Sequence, residues 1–160
     1  MKWMIALSLV LGVNGWAQAE PAPPESPEDL WLQAPNPALD PAQVVRIQLN
    51  ALRQGDDEGL AVVYRFASPG NRKQTGPLAR FSAMLRNSYP QLIGHESVEL
   101  APTLIDGARA IQAVEVLGQD EQTHRYVFLL RRQKQVPFEN CWMTDSVVVP
   151  EREALPVPDV

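Results

Sequence analysis

The sequence predicts an α+β domain in which three N-terminal helices pack on a curved antiparallel sheet of about four strands. Apolar residues recur with a helical period of about 3.6 between Pro41 and Pro90, and with the strand period of two after Gly94. The turn-forming pair Asp106-Gly107 then divides the second half into segments of strand length. Helices followed by hairpin-linked strands favour two layers, with the helices on one face of the sheet.

The first two helices are predicted from their caps. Asp40 can cap the first helix, Pro41 suits its first helical position, and Gly55 ends it. Asp56 can cap a second helix at once, so almost no loop separates the two. They are therefore expected to pack against each other as a pair.

A turn and a third helix are predicted next. Ser68-Pro69-Gly70-Asn71 has proline second and glycine third, which is the chemistry of a type II turn. Pro77 is predicted to be the first residue of the third helix, and Pro90 to stop it. Its inner face is expected to carry Phe81, Met84, Leu85 and either Ser88 or Tyr89.

The strand half is expected to form a meander. The predicted strand regions are His95–Ile105, Ala108–Leu117, Arg125–Arg132 and Phe138–Val149. Pro102 interrupts the first region, and proline cannot donate to a sheet, so that region is placed at an edge or a bulge.

The N-terminal residues indicate export. Lys2 gives a short positive region, residues 3–13 are mostly apolar, and Ala17-Gln18-Ala19 is typical of a cleavage site. We therefore expect a signal peptide over residues 1–19, cleavage between Ala19 and Glu20, and a periplasmic or secreted protein. The alternative is an uncleaved membrane anchor, but the apolar run is shorter than the about 20 residues of a membrane span.

The rest of the chain is divided by composition. Residues 20–40 form a Pro-rich leader, residues 41–149 a single α+β domain, and residues 150–160 a flexible tail. No transmembrane segment is expected after signal cleavage.

Charge and cysteine content exclude some classes of protein. The chain carries 14 Lys and Arg against 19 Asp and Glu, a net charge of −5, which argues against nucleic-acid binding. The single cysteine, Cys141, cannot form an internal disulfide. A buried small hydrophobe is the favoured interpretation, and an intermolecular link or a free thiol are the alternatives.

One segment is basic although the chain is acidic. No acidic residue lies between Glu58 and Glu96, whereas five basic residues do. They are Arg65, Arg72, Lys73, Arg80 and Arg86. Because two of them precede the predicted helix start at Pro77, we expect this basic segment to bind an anionic small molecule or an acidic partner. The alternative is that these side chains only solvate the outer faces of helices.

Four stretches of the sequence are similar to a known family. They are QLNALRQGD, FASPG, GPLARFSAMLRNSYPQL and the strands that end near Trp142. Over about residues 41–149 the chain resembles an uncharacterised bacterial family, domain of unknown function number 4864. Its layout also resembles the nuclear transport factor 2-like cone. That resemblance implies a cone-like fold that can enclose a pocket, and it supplies no activity and no catalytic residues.

The cone resemblance also suggests which residues line a cavity. They are Tyr89, Gln112, Tyr126, Trp142 and Asp145. The alternative is that the aromatic members are ordinary core residues whose polar tips find a partner. In an enzyme, Asp145 or His95 would carry the proton.

The expected function is therefore binding rather than catalysis. Nucleotide, hydrolase and metal motifs are missing from the sequence, and we expect no cofactor and no metal. We expect an exported binding or interaction module of the bacterial envelope, as a monomer or a homodimer, with an anionic molecule or an envelope protein as partner. The alternatives are a small cone-fold enzyme that uses general acid–base chemistry, and an accessory domain that docks through an apolar helix face.

Overall fold

A computed structural model describes residues 32–150, and within them four α-helices precede five β-strands. The helices are α1 (Pro41–Gln54), α2 (Asp57–Phe66), α3 (Pro69–Thr75) and α4 (Leu78–Ser88), and a short 3-10 helix spans Pro90–Leu92. The strands are β1 (Ser97–Leu100), β2 (Leu104–Asp106), β3 (Arg109–Leu117), β4 (Thr123–Arg132) and β5 (Trp142–Val148). The α+β class and the order of helices before sheet are confirmed.

Several predictions concern residues outside the range 32–150 that the structure describes. The signal peptide, its cleavage site, the leader as far as residue 31 and the tail from residue 151 lie outside the described residues. Export therefore stays a prediction. No helix within residues 32–150 is long and apolar enough to cross a membrane.

The first two helices begin and end where their caps predict. The Asp40 side chain accepts the Gln43 N–H at 2.8 Å, the Gln43 side chain accepts the Asp40 N–H at 2.9 Å, and Gly55 ends α1 at φ 74°. Asp56 caps α2 through the Gly59 N–H. A Cβ at Gly59 would collide with the carbonyl of Ala51, so glycine lets α2 lie against α1.

The predicted type II turn is wrong. Ser68 caps α3 by accepting the Asn71 N–H at 3.1 Å, and Pro69 is the first helical residue. Serine followed by proline starts a helix as well as it starts a turn, because the fixed φ of proline suits both. The helical layer therefore has four helices within the described residues instead of three.

The third predicted helix, now α4, is shifted by one residue at its start. Pro77 is the N-cap, with ψ 163°, and Leu78 is the first helical residue. The helix ends at Ser88, just before Pro90 as predicted. Phe81 and Leu85 are buried on its inner face, whereas Ser88 is exposed.

The strands form one antiparallel sheet in the order β1-β3-β4-β5, and β2 also pairs with β3. The predicted first strand region is divided into β1 and β2 around Pro102, and both pieces lie along the same edge of β3. The fourth predicted region begins later than expected. Residues 133–141 form a loop, and β5 starts only at Trp142.

The helices cover one face of the sheet. Val114, Phe128 and Leu130 on that face are at most 2% exposed and share one core with Leu49 and Phe66 of the helices. Alternate positions of β3 and β4 point away from the helices, as the period of two predicts.

Candidate functional site

A cavity of about 190 Å³ lies between the helical layer and the last two strands. Apolar side chains from α1, α2, α4, the 3-10 helix and the sheet form most of its wall, among them Leu52, Val63, Phe81, Leu92 and Phe128. The polar residues in the wall are Gln48, Asn71, Gln74, Thr75, Tyr89, Thr144, Asp145 and Ser146. A mostly apolar wall with a few polar groups is the usual composition of a small-molecule site.

Thr144 of β5 ties this wall together. Nε2 of Gln48 donates to its Oγ1 at 2.8 Å, although the two residues are 96 positions apart. Its carbonyl accepts the backbone N–H of Ser68 at 2.9 Å and the Nδ2 of Asn71 at 3.2 Å. An isolated parallel bridge joins Ala67 to Thr144. One residue of the sheet thus holds α1 and the α2–α3 junction.

Gln48 and Thr144 are 1% and 2% exposed, so their hydrogen bonds are made away from solvent. Nε2 of Gln48 also donates to the Val44 carbonyl at 3.1 Å. Both buried side chains are therefore satisfied within the protein, and a polar patch is fixed in an otherwise apolar wall.

Two predicted pocket residues, Tyr89 and Asp145, do line the cavity. The Tyr89 hydroxyl donates to the Val147 carbonyl at 2.8 Å. Oδ2 of Asp145 accepts from Nε of Arg131 at 2.8 Å, in an ion pair that is partly exposed. Of the lining residues that the structure describes, Asp145 is the only Asp, Glu, Lys, Arg or His.

The other three predicted pocket residues do not line this cavity. Gln112 is fully buried, and its amide bonds to Thr103 and to the carbonyls of Ala101 and Ala113. Tyr126 lies tilted against Tyr89 with ring centroids 6.2 Å apart, and burial raises the pKa of its hydroxyl.

Trp142 is also a core residue rather than a cavity residue. It is 5% exposed, and the Arg132 guanidinium stacks over its ring at 5.4 Å. The structure therefore favours the alternative interpretation of the two aromatic residues, as core side chains.

The cavity residues that the sequence did not single out are polar ones on helices and β5. Gln48 could have been identified from the sequence, because it lies among the apolar positions Val45, Leu49 and Leu52 on the buried face of α1. A polar side chain on a buried helix face needs a partner. The identity of that partner, Thr144, had no signal in the sequence.

The proton carriers of the alternative enzyme are not brought together in this cavity. His95 is buried and does not line it, and its Nδ1 lies 2.8 Å from the Leu92 carbonyl. Burial lowers the pKa of His95, and the positive charge of Arg53 lowers it further. Asp145 does line the cavity, where it is paired with Arg131.

In the basic segment, the Arg72 side chain is bonded to the backbone of its own domain. Its Nε donates to the carbonyls of Tyr64 and Ala67 at 3.1 and 2.9 Å, and its Nη2 to the carbonyl of Arg65 at 2.6 Å. Its guanidinium also stacks over the rings of Tyr64 and Phe138, at 5.2 and 5.4 Å. Arg72 therefore closes the C-terminal end of α2, where carbonyls lack helical partners.

The remaining four cations of the segment do not share one environment. Arg65 Nη1 donates to the Gln33 carbonyl at 2.6 Å, and Arg86 pairs with Asp57 at 2.8 Å. Lys73 and Arg80 are exposed and form no ion pair with any described residue. Anion binding stays a prediction, but Arg65, Arg72 and Arg86 contact backbone or acid groups that the sequence pattern did not indicate.

A second basic region lies at the end of the sheet. Arg109, Arg131, Arg132 and Lys134 line a groove of about 740 Å³, together with the loop that follows β4 and the start of α3. None of these four residues belongs to the basic segment that is visible in the sequence. The run Arg-Arg-Gln-Lys at 131–134 is the sequence feature that could have indicated this second region.

The described residues offer no metal site and no reactive thiol. No group of three or more His, Cys, Asp or Glu side chains in residues 32–150 could hold a metal ion. Cys141 is 2% exposed, as predicted, and burial raises the pKa of its thiol. A raised pKa disfavours the nucleophilic thiolate at neutral pH.

Comparison with known proteins gives one family and one solved structure. The family model described as Domain of unknown function (DUF4864) matches residues 37–156. A SEC-C motif containing protein from Rhodopseudomonas palustris, solved in solution, is 14% identical, with 69% of this chain and 79% of that chain covered and a TM-score of 0.47. At this distance the likeness supports no inference. No curated protein matches the sequence.

Proposed function

Because the chain belongs to the DUF4864 family, whose description assigns no activity, we propose from its geometry that it is an exported binding module of the bacterial envelope. Its cavity would hold a small, mostly apolar molecule, which it releases unchanged. The observation that carries this proposal is the cavity wall, which is apolar except for a small set of hydrogen-bonding groups. Export and the nuclear transport factor 2-like cone are parts of this proposal.

The volume of the cavity limits the size of the ligand. An engineered apolar cavity of about 150 Å³ in another protein takes up benzene. The cavity here measures about 190 Å³, so the ligand part inside it is comparable to one aromatic ring with a short substituent. Gln74 and Ser146 offer further polar groups in the same wall.

The charge of the wall limits the ligand further. Among the described lining residues there is no Lys or Arg, and the one acidic residue, Asp145, is paired with Arg131. An anion would therefore face a carboxylate in an apolar setting, which is costly. We propose that the ligand is neutral or positively charged.

Two earlier interpretations have less support. Capture of an anion by the basic segment would depend on Lys73 and Arg80, because Arg72 and Arg86 already hold partners. Acid–base catalysis would need a free proton carrier in the cavity, and Asp145 is held by Arg131.

The first experiment is native mass spectrometry of the protein purified gently from the envelope fraction. We expect a co-purified neutral or cationic small molecule, and the same spectrum reports whether the protein is a monomer or a homodimer. A co-purified anion would contradict the proposed ligand class.

The second experiment localises the site with indole, a neutral probe of suitable size. Amide NMR shifts should change around the cavity, and Gln74→Trp should weaken indole binding about threefold or more by filling the cavity. Lys73→Trp is the matched control, because Lys73 is the exposed neighbour that does not line the cavity. Absence of indole-dependent shifts at the lining residues, or equal loss in both variants, would overturn the proposal.

A further inference from the structure

Within residues 32–150, the charged side chains that line the groove at the end of the sheet are all positive. Arg109 begins β3, Arg131 and Arg132 end β4, and Lys134 follows in the loop. None of the described residues that line the groove is acidic. This local excess of positive charge occurs in a chain whose net charge is −5.

The sheet register places two of these cations directly opposite each other. Arg109 is the partner of Arg131 across β3 and β4, so their Cα atoms are about 5 Å apart and their side chains share one face. Like charges in this arrangement destabilise a sheet. A bound anion would convert that repulsion into attraction.

Acidic groups near the groove neutralise its positive charge only in part. Nε of Arg131 is paired with Asp145, and its other guanidinium nitrogens form no ion pair with any residue from 32 to 150. Asp106 lies opposite Arg109 across the β2–β3 hairpin, but no ion pair joins the two within residues 32–150. Lys134 is exposed and likewise makes no ion pair with a described residue.

The groove is held in place by the loop after β4. The Gln133 N–H donates to the Cys141 carbonyl at 2.8 Å, and the Asn140 N–H donates to the Gln133 carbonyl at 2.9 Å. The ring of Phe138 lies under the Arg72 guanidinium, and Arg132 is stacked on Trp142. These contacts fix the walls without a ligand, which lowers the entropy that binding must spend.

We propose that this groove binds a multivalent oxyanion, a molecule that carries two or more phosphate or carboxylate groups. Three of its cations are arginines, whose planar guanidinium matches the geometry of both groups with paired hydrogen bonds. Several cations along one groove favour several acid groups on one ligand over a single small anion. The proposal does not depend on the cavity, because the cavity has a different lining.

Calorimetric titration tests the proposal with sodium tripolyphosphate and trisodium citrate as probes, at about 20 mM and about 200 mM NaCl. We expect at least one of them to bind, and more weakly at the higher salt concentration. Tighter binding of tripolyphosphate would assign phosphate as the recognised group, and tighter binding of citrate would assign carboxylate. Absence of heat from both probes at the lower salt concentration would overturn the proposal.

Two double variants locate the binding. Arg109→Ala combined with Lys134→Ala should weaken the affinity of the bound probe about tenfold. Lys73→Ala combined with Arg80→Ala is the control, because it removes the same charge from exposed positions outside the groove. The control should change the affinity less than about twofold. Equal losses in the two double variants would show a general charge effect and would overturn the groove as the site.

Discussion

The two basic regions of this molecule differ in what their charges contact. In the basic segment on the helices, Arg72 donates to three backbone carbonyls and Arg86 pairs with Asp57. In the groove at the end of the sheet, Arg109 and Lys134 have no ion pair with any described residue. The first region is conspicuous in the sequence, and the second brings four cations to one groove.

This difference shows what a run without acids does and does not predict. Asp57 lies outside the acid-free stretch, yet it reaches Arg86 from 29 residues away. Backbone carbonyls, which no charge count includes, accept from Arg72. An uncompensated charge is therefore a property of the fold, and the sequence predicts it only when partners are local.

Among substitutions in the two basic regions, the largest effect on stability is expected for Arg72→Ala. The substitution removes the Arg72 hydrogen bonds to the carbonyls of Arg65 and Ala67 and two ring contacts, so it should lower the free energy of unfolding by about 2–4 kcal/mol. Urea denaturation measures the loss. Lys73→Ala, at the exposed neighbouring residue, is the control and should cost less than about 0.5 kcal/mol. Equal effects in the two variants would show that Arg72 is not a structural residue.

A smaller effect is expected at Arg86. Arg86→Ala removes a surface ion pair whose aspartate is 91% exposed, and such pairs contribute about 0.2–1 kcal/mol. A double-mutant cycle with Asp57→Ala isolates the pair from other effects of each substitution. The coupling should shrink as salt is added. A coupling that does not respond to salt would contradict a screened surface pair.

The smallest effect is expected at Arg109. Arg109→Ala relieves the repulsion with Arg131 and loses the attraction of Asp106, so the free energy of unfolding should change by less than about 0.5 kcal/mol. Arg125→Ala is the matched control, because Arg125 lies opposite Glu115 and pairs with it at 2.7 Å. It should lower stability. A greater loss at Arg109 than at Arg125 would make Arg109 a structural residue.

Much of the fold could be predicted because its signals are local. Asp40, Asp56 and the glycine at 55 mark helix ends through contacts within four residues, and alternating burial in β3 and β4 follows from the pleat of a strand. The missed helix α3 is also local, but Ser68 and Pro69 serve a turn and a helix start alike. Only the surrounding packing decides between the two.

The candidate sites were predictable only in part because they depend on distant partners. Tyr89 and Asp145 line the cavity, whereas Gln112 bonds to the Ala101 carbonyl and Trp142 packs against Arg132. Helix α1 and strand β5 must dock before Gln48 meets Thr144. The groove likewise needs the β3–β4 register and the course of the loop after β4, neither of which has a sequence period.

The position of Thr144 bears on the order in which the domain can assemble during synthesis. The helices and the meander each close through contacts between neighbours in the chain, which form early and at little entropic cost. The hydrogen bonds of Thr144, which hold the helices to the sheet, connect residues up to 96 positions apart and involve strand β5. The helical half therefore leaves the ribosome before its anchor exists. Part of its apolar face stays exposed until β5 is added, and during that interval the unfinished chain is most open to aggregation and to helper proteins that shield such faces.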